Sequence, residues 1–243
     1  MIDLHCHLLP GVDDGAEDLE RAFELARIAV ADGIERSVLT PHVHQGRYDN
    51  DRASIQARVA AFQDALDGAG IALRVQGGGE VRIGPEVMEM LAADTVPFIG
   101  KLGGDRVMLL EFPHSHIPAG ADRFVRWLVS QRVRPLIAHP ERNKDVMAQP
   151  ARIKPFVDMG CLLQITAGSL VGQFGDAAQA ASEVFLGDDM VFALATDAHD
   201  ASRRPPILSV AREALAQRGG EALAYRLTRG NPARLLGLPA EGA

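Results

Sequence analysis

Apolar and polar positions along the chain follow two periods that take turns from one end to the other. Short runs rich in Val, Ile and Leu fall at residues 2–6, 36–40, 73–78, 107–112, 134–139, 161–166 and 191–196. Their length and β-branched content predict strands. Between them, apolar residues recur at steps of three and four. Leu19, Phe23, Ala26 and Val30 form one such series, and Ile55, Val59, Phe62 and Leu66 another. Phe124 and Leu128 line up in the same way, as do Ile207, Val210, Ala214 and Leu215. This spacing predicts helices with one buried face.

Strands alternating with helices imply parallel pairing. No linker, composition shift, internal repeat or low-complexity tract divides the seven units. The expected architecture is therefore an α/β fold in a single domain over residues 1–243, a distorted TIM-like (β/α)7 barrel one strand short of the usual eight. An open doubly wound sheet has the same periodicity and is the alternative. Gly77-Gly78-Gly79 reads as a turn where backbone approaches something closely.

Composition narrows the function classes. Hydrophobic residues make up 47% and charged residues 23%, which excludes a disordered or fibrous chain. Two cysteines make no disulfide framework and point to a reducing compartment. No apolar run approaches the ~18 residues of a membrane span, and the opening Met-Ile-Asp-Leu-His carries no signal region. A cytoplasmic protein without membrane insertion is expected. Its 25 basic against 32 acidic residues, net charge −7, and its 5% aromatic content argue against nucleic acid as a partner.

The candidate chemistry is positional. Residue types that bind metals recur at the C-terminal ends of the expected strands, which is the rim where barrels build active sites. His5-Cys6-His7 closes the first and Thr40-Pro41-His42 the second. Glu80 follows the third, Glu111 ends the fourth, His139-Pro140-Glu141-Arg142 follows the fifth and Asp197-Ala198-His199 the seventh. Taken singly, His-x-His is also an ordinary polar strand end, and a lone Glu is usually a cap or an ion-pair partner. Together they hold five of the eight histidines at one rim. Histidine and carboxylate donors without a thiolate cluster suit Mn²⁺, Fe²⁺ or Zn²⁺ rather than Ca²⁺. There are too many for one ion, so two or three are implied, with Glu80 a candidate bridge.

The run from Asp3 to Ala16, H-x-H-x-x-P-G-x-D-D-G at its centre, resembles the opening of the PHP (polymerase and histidinol phosphatase) superfamily. More narrowly, it is similar to the CpsB/CapC-type bacterial tyrosine-protein phosphatases of capsule and exopolysaccharide operons. The remaining motifs follow in that family's order over nearly the whole chain. The resemblance implies a PHP-type barrel with three divalent ions, commonly manganese. It assigns His5, His7, Glu80 and Asp197 to one ion, Glu80, Glu111 and His139 to the second, and Asp14, His42 and His199 to the third. Asp13 competes with Asp14 for that last role. It assigns phosphate binding to Arg142 and Arg204, with Arg203 adjacent to the latter. Cys6 stands where the family more often has Ser and is expected to be a small core filler facing away from the histidines.

Metal ions at such a site bring a water's pKa near neutrality, so hydroxide can attack phosphorus while arginines neutralise the phosphoryl oxygens. A cysteine-based phosphatase would need an arginine six residues after its nucleophile. Val12 follows Cys6 at that distance and Ala167 follows Cys161. A Gly-x-Ser-x-Gly elbow and a Walker A loop are absent. The resemblance implies a phosphotyrosine protein as substrate, a membrane-associated bacterial tyrosine kinase controlling polysaccharide export. A small-molecule phosphomonoesterase such as a histidinol phosphatase is the alternative, and a non-catalytic PHP-like binding module the alternative of another class. The acidic balance disfavours a nuclease.

Other residues carry blander expectations. His114 and His116 read as a pocket-lip or surface pair, and His44 as either solvent-exposed or substrate-facing. Phe124 and Trp127 read as helix-to-barrel packing, residues 166–169 as pocket floor, and Met88 and Met90 as core filler.

Overall fold

The computed structural model describes residues 1–239. Its parallel strands are β1 (Ile2–Cys6), β2 (Arg36–Leu39), β3 (His42–Val43), β4 (Arg74–Gly77) and β5 (Glu80–Arg82). Then come β6 (Gly100–Leu102), which pairs antiparallel with β7 (Asp105–Glu111), and β8 (Val133–Ala138), β9 (Leu162–Thr166) and β10 (Val191–Ala195). The longer helices are α1 (Leu19–Ala31), α2 (Arg52–Gly68), α3 (Glu86–Ala92) and α4 (Ala121–Ser130). Short helices α5 (Lys144–Ala148), α6 (Lys154–Asp158) and α7 (Ala167–Leu170) precede α8 (Asp176–Gly187), α9 (Ser209–Tyr225) and α10 (Asn231–Leu235).

All seven expected strands form, and two of them are interrupted. Thr40-Pro41 separates β2 from β3, because proline has no N–H to give to the ladder. Gly78-Gly79 separates β4 from β5. A Cβ at Gly78 would lie 2.6 Å from Ile99 and one at Gly79 2.4 Å from Pro97. The expected close approach is present, but the chain carries on as a strand where a turn was expected.

The sheets order as β1-β2-β4 and β10-β9-β8-β7-β5-β3. Because β2 leads into β3 and β4 into β5, the two sheets are one wall. It closes where His7 N–H donates to Ala198 O and Asp197 N–H to His5 O, both at 2.8 Å. The result is the distorted seven-stranded barrel, and the open sheet is excluded.

Period-two alternation sorts the core. Leu109, Leu136 and Ala138 fill the barrel with Ile2, Leu4 and Val38, and Leu235 of α10 joins them. Met108, Leu110 and Ile137, one step out of phase, pack against Leu25, Phe62, Leu128 and Phe185 of the surrounding helices. The polar site sits at the opposite, C-terminal rim. Strand β1 reaches it through a bulge. Asp3 pairs with Ser37 and Cys6 with Leu39, so β1 has one extra residue there. That residue flips the alternation, letting Leu4 join the core below while His5 and His7 turn inward above.

The helix faces hold with local shifts. Ile55, Val59, Phe62 and Leu66 are the buried face of α2 as expected. On α1 and α9 the buried faces are Ala22, Leu25, Ala26 and Ala29, and Ala211, Leu215 and Ala224. Leu19 (43%) and Val210 (55%) are exposed, since small alanines pack closer to the barrel than the bulky residues beside them. Met88 is likewise exposed, so it is not core filler, while Met90, Phe124 and Trp127 pack against the core.

Candidate metal centre

Nine side chains from six strand ends and one loop converge at the rim. His5 lies near the end of β1 and His7 just past it. His42 and Glu80 open β3 and β5 as direct cross-strand partners. Glu111 ends β7, His139 follows β8, and Asp197 and His199 follow β10, while Asp14 comes from the loop before α1. His139 (φ 32°) and Asp197 (φ 52°) take left-handed backbone conformations. These are costly for non-glycine residues and aim both side chains into the cavity instead of along the strand. The cavity holds about 420 Å³ and is lined by seven of the nine together with Arg142 and Arg204. His5 and His7 are fully buried beneath it.

The hydrogen bonds set which ring nitrogens face the cluster. His5 Nδ1–H donates to Gln164 Oε1 at 2.8 Å, and His7 Nδ1–H donates to Asp13 Oδ2 at 2.6 Å. Each ring therefore turns its Nε2 lone pair inward, and these two atoms face each other at 3.2 Å. Two lone pairs at that distance repel unless a cation lies against them. The same holds at His199, whose Nδ1–H is taken by Asp197 O at 2.9 Å while Nε2 faces Asp14 Oδ1 at 3.5 Å. His42 Nδ1 and His139 Nε2 reach the two oxygens of Glu80 at 2.8 and 2.7 Å. The donor set is nitrogen and oxygen only, because Cys6 is buried with its thiol toward Val38 O.

Ligand-capable atoms gather within 4.8 Å of one another in four overlapping groups: His7, Asp14, His42 and His199; His5, His7 and Glu80; His5, His139 and Asp197; and His42, Glu80 and Glu111. These groups contain all nine expected ligands. Their division differs from the family assignment in grouping His139 with His5 and Asp197 rather than with Glu80 and Glu111. Residues of this type and convergence fit divalent cations.

Protons take the place of those cations in the metal-free protein. Burial pulls the His42 imidazole down, but the Glu80 charge and hydrogen bonds to Asp14 and Glu80 outweigh it and hold it up at about 11. At His7, burial is likewise outweighed by Asp13, raising it to about 9. Burial would push Glu80 up, yet His5 and His42 hold it well below the usual range. Burial and the neighbouring Glu80 charge lift Glu111 to about 6.

A sign follows for stability. Imidazoles raised in the folded state stabilise the metal-free protein fully below their unfolded value of about 6.5, and that contribution fades as pH climbs toward about 9 and about 11. Metal binding expels these protons and grows stronger over the same window. The Tm difference between metal-loaded and chelator-treated protein is therefore expected to widen from pH 6.5 to 9, as read by thermal melts. A constant or shrinking difference would contradict the proton-for-metal exchange.

The neighbouring acids Asp13 and Asp14 do different work. Asp13 Oδ2 accepts from His7 Nδ1 at 2.6 Å and from His42 N–H at 3.0 Å, and its Oδ1 accepts from Gly15 N–H at 3.0 Å. Asp14 instead points its Oδ1 at His42 Nε2, 3.2 Å away, and at His199. Gly15 must be glycine, since a Cβ there would lie 2.0 Å from His7 O. Asp13 orients His7 and His42, and Asp14 faces into the cluster. Asp13→Asn is expected to weaken metal affinity by about 10–100-fold, measured by titration with Mn²⁺.

Arg142, in the helical turn after β8, and Arg204, in the loop after β10, both donate to Asp197 Oδ2. The Arg142 guanidinium also lies 4.3 Å from the Phe174 ring centroid. Arg203 is exposed and lines a different cavity.

Three contributors were missed by sequence reasoning. Arg82 pairs with Glu111 at 2.8 Å across the β5–β7 register. Glu141 is fully buried, its Oε1 accepting from Thr166 N–H at 2.9 Å and Ser169 Oγ at 2.8 Å, which pins the backbone beside Arg142. Its place inside the His-Pro-Glu-Arg motif was the available signal. Residues 166–169 thus start α7 and hold Glu141, and they do not line the cavity as its floor. Asp3 is the third. It is fully buried and closes the barrel by accepting from Thr196 N–H at 3.0 Å and Thr196 Oγ1 at 2.6 Å. His114 stacks on His139 at 5.1 Å between centroids and sits on the lip with His44, while His116 is exposed and bonded to Ser115.

A family model for CpsB/CapC, capsular polysaccharide synthesis, matches residues 1–237. The chain is 36% identical over 228 residues to tyrosine-protein phosphatase YwqE of Bacillus subtilis, covering 94% of this chain and 89% of that protein. Among solved structures it superposes, with a TM-score of 0.89 and 34% identity over 98% of this chain and 96% of the other, on one from crystallographic work on YwqE of Bacillus subtilis and CpsB of Streptococcus pneumoniae, described as metal-dependent tyrosine phosphatases. The phosphotriesterase homology protein of Escherichia coli shares the fold alone, at 16% identity and TM-score 0.61 over 96% of this chain and 97% of the other.

Proposed function

The chain belongs to the CpsB/CapC family of capsular polysaccharide synthesis, and we propose from that membership how its site works. The protein is a metal-dependent protein-tyrosine phosphatase, built as a single PHP-type domain. The observation that carries the reading is the meeting of nine nitrogen and oxygen donors with two arginines at one cavity. Each donor class has its counterpart in phosphomonoester hydrolysis.

His5, His7, Asp14, His42, Glu80, Glu111, His139, Asp197 and His199 would hold three divalent cations, Mn²⁺ foremost and Fe²⁺ or Zn²⁺ as alternatives. Such cations supply Lewis acidity and a water nucleophile deprotonated near neutral pH. The chain itself supplies the rest. Gln164, Asp13 and Asp197 O fix the ring orientation of His5, His7 and His199. Arg142 and Arg204 bind the phosphoryl oxygens, each with a planar fork able to take two at once. Phe174 under Arg142, with Glu141 pinning the adjoining backbone, keeps that fork in place.

The leaving group needs little help. A tyrosine phenol has a pKa of about 10, so its phenolate departs without a strong acid. Burial, with Arg82 and Arg47, lowers His44, and burial, with Arg142, lowers His114. The substrate is a phosphotyrosine protein, a membrane-associated bacterial tyrosine kinase that regulates polysaccharide export, reached from the cytoplasm. No helix among the described residues is long and apolar enough to cross a membrane.

Phosphate release by the manganese-loaded protein from a phosphotyrosine peptide and from histidinol phosphate tests the reading. Clear preference for the peptide supports it. Preference for histidinol phosphate would keep the site chemistry and overturn the substrate.

A further inference from the structure

A second cleft of about 450 Å³ adjoins the metal-site cavity, and the two share His44, Tyr48 and Arg82 as a common wall. The floor of this cleft mixes apolar side chains with polar ones. Val43, Val81 and Val87 are buried there, with Ile83 and Met90 partly buried beside them. Its rim is acidic. Asp49, Glu86 and Glu89 stand exposed around it, and among the described residues none of the three pairs with a lysine or arginine. The arginine on the wall, Arg82, is already held by Glu111 at 2.8 Å. A cavity on the other side shares Asp14 and His199 with the site, and there Arg21 and Arg203 offset part of the charge of Glu17, Glu24 and Asp200.

A partly apolar floor under a negative rim matches one kind of side chain in particular. Lysine and arginine lay an aliphatic stem along apolar surface and keep a cationic tip in water. A phosphotyrosine whose phosphoryl group is held by Arg142 and Arg204 can leave the site past Tyr48 and Arg82, which brings its neighbours in sequence to this cleft. We propose that the cleft is the subsite for the polypeptide flanking the phosphorylated tyrosine, and that it selects a segment carrying lysine or arginine over one carrying aspartate or glutamate. The proposal rests on the phosphotyrosine reading of the site.

The test compares kcat/KM for free phosphotyrosine and for two phosphotyrosine peptides that differ only in Lys or Glu at the flanking positions. It is run on the metal-loaded protein and on Glu86→Lys/Glu89→Lys, two exposed positions away from the metal ligands. Wild-type protein is expected to favour the Lys peptide about fivefold, less so at high salt. The variant is expected to reverse the order and to leave free phosphotyrosine unchanged. Glu89→Gln alone, the milder change, should reduce the preference without reversing it. The same peptide ratio in wild type and both variants would overturn the subsite. If free phosphotyrosine and both peptides all go unhydrolysed, the phosphatase reading is what fails.

Discussion

His5→Ala/His7→Ala is expected to lower kcat/KM on a phosphotyrosine peptide by about 10³-fold or more, and bound metal is expected to fall with it. The size follows from what the two rings do. Both Nε2 atoms face the centre of the cluster, both rings are buried, and both are locked by a hydrogen bond on the far nitrogen. Losing them takes two donors from one of the four ligand groups and one donor from each of two others. Metal assistance to phosphoryl transfer is worth several kcal/mol, and each factor of ten costs about 1.4 kcal/mol. Removing cations from the wild-type protein with a chelator should give the same loss, reversed by adding Mn²⁺. Elemental analysis and activity on the same samples check both, with a thermal melt to show that the variant folds. Full activity in a variant depleted of metal would contradict the account.

Arg142→Ala and Arg204→Ala come next in size, each with an expected loss of about 10²–10³ in kcat/KM and bound metal retained. The two guanidiniums reach the same Asp197 oxygen from separate segments of the chain, after β8 and after β10. Each can therefore still serve the phosphoryl group when the other is gone, and the double variant should be worse than either single one. Lysine at either position should recover only part of the rate, because an ammonium lacks the planar fork that takes two oxygens. A drop in metal content matching the drop in rate would instead make these arginines partners of Asp197 alone.

Much of this was legible along the chain. The strand ends bearing His5, His42, Glu111, His139 and Asp197 were visible because a buried parallel strand is a short apolar run and its C-terminal end is polar only where the site begins. What was hidden depended on register. The extra residue in β1 lets Leu4, His5 and His7 all face the barrel axis, and strict alternation would have placed Leu4 opposite the histidines. Arg82 met Glu111 only once β5 paired with β7. Residues 166–169 looked like pocket floor because nothing local says that Glu141, 25 residues earlier, needs the Thr166 N–H. On α1 and α9 the apolar period includes bulky residues that stay exposed, while the close contacts with the barrel are made mostly by alanines.

The ligand set is tested most directly by anomalous diffraction from crystals loaded with Mn²⁺. Three peaks are expected within the cluster, each about 2.2 Å from its nitrogen and oxygen donors. Glu80 should touch more than one of them, and Arg142 and Arg204 should be free of Asp197 and turned toward the cavity. No peak among the nine residues, or a single ion with both arginines still on Asp197, would contradict the account.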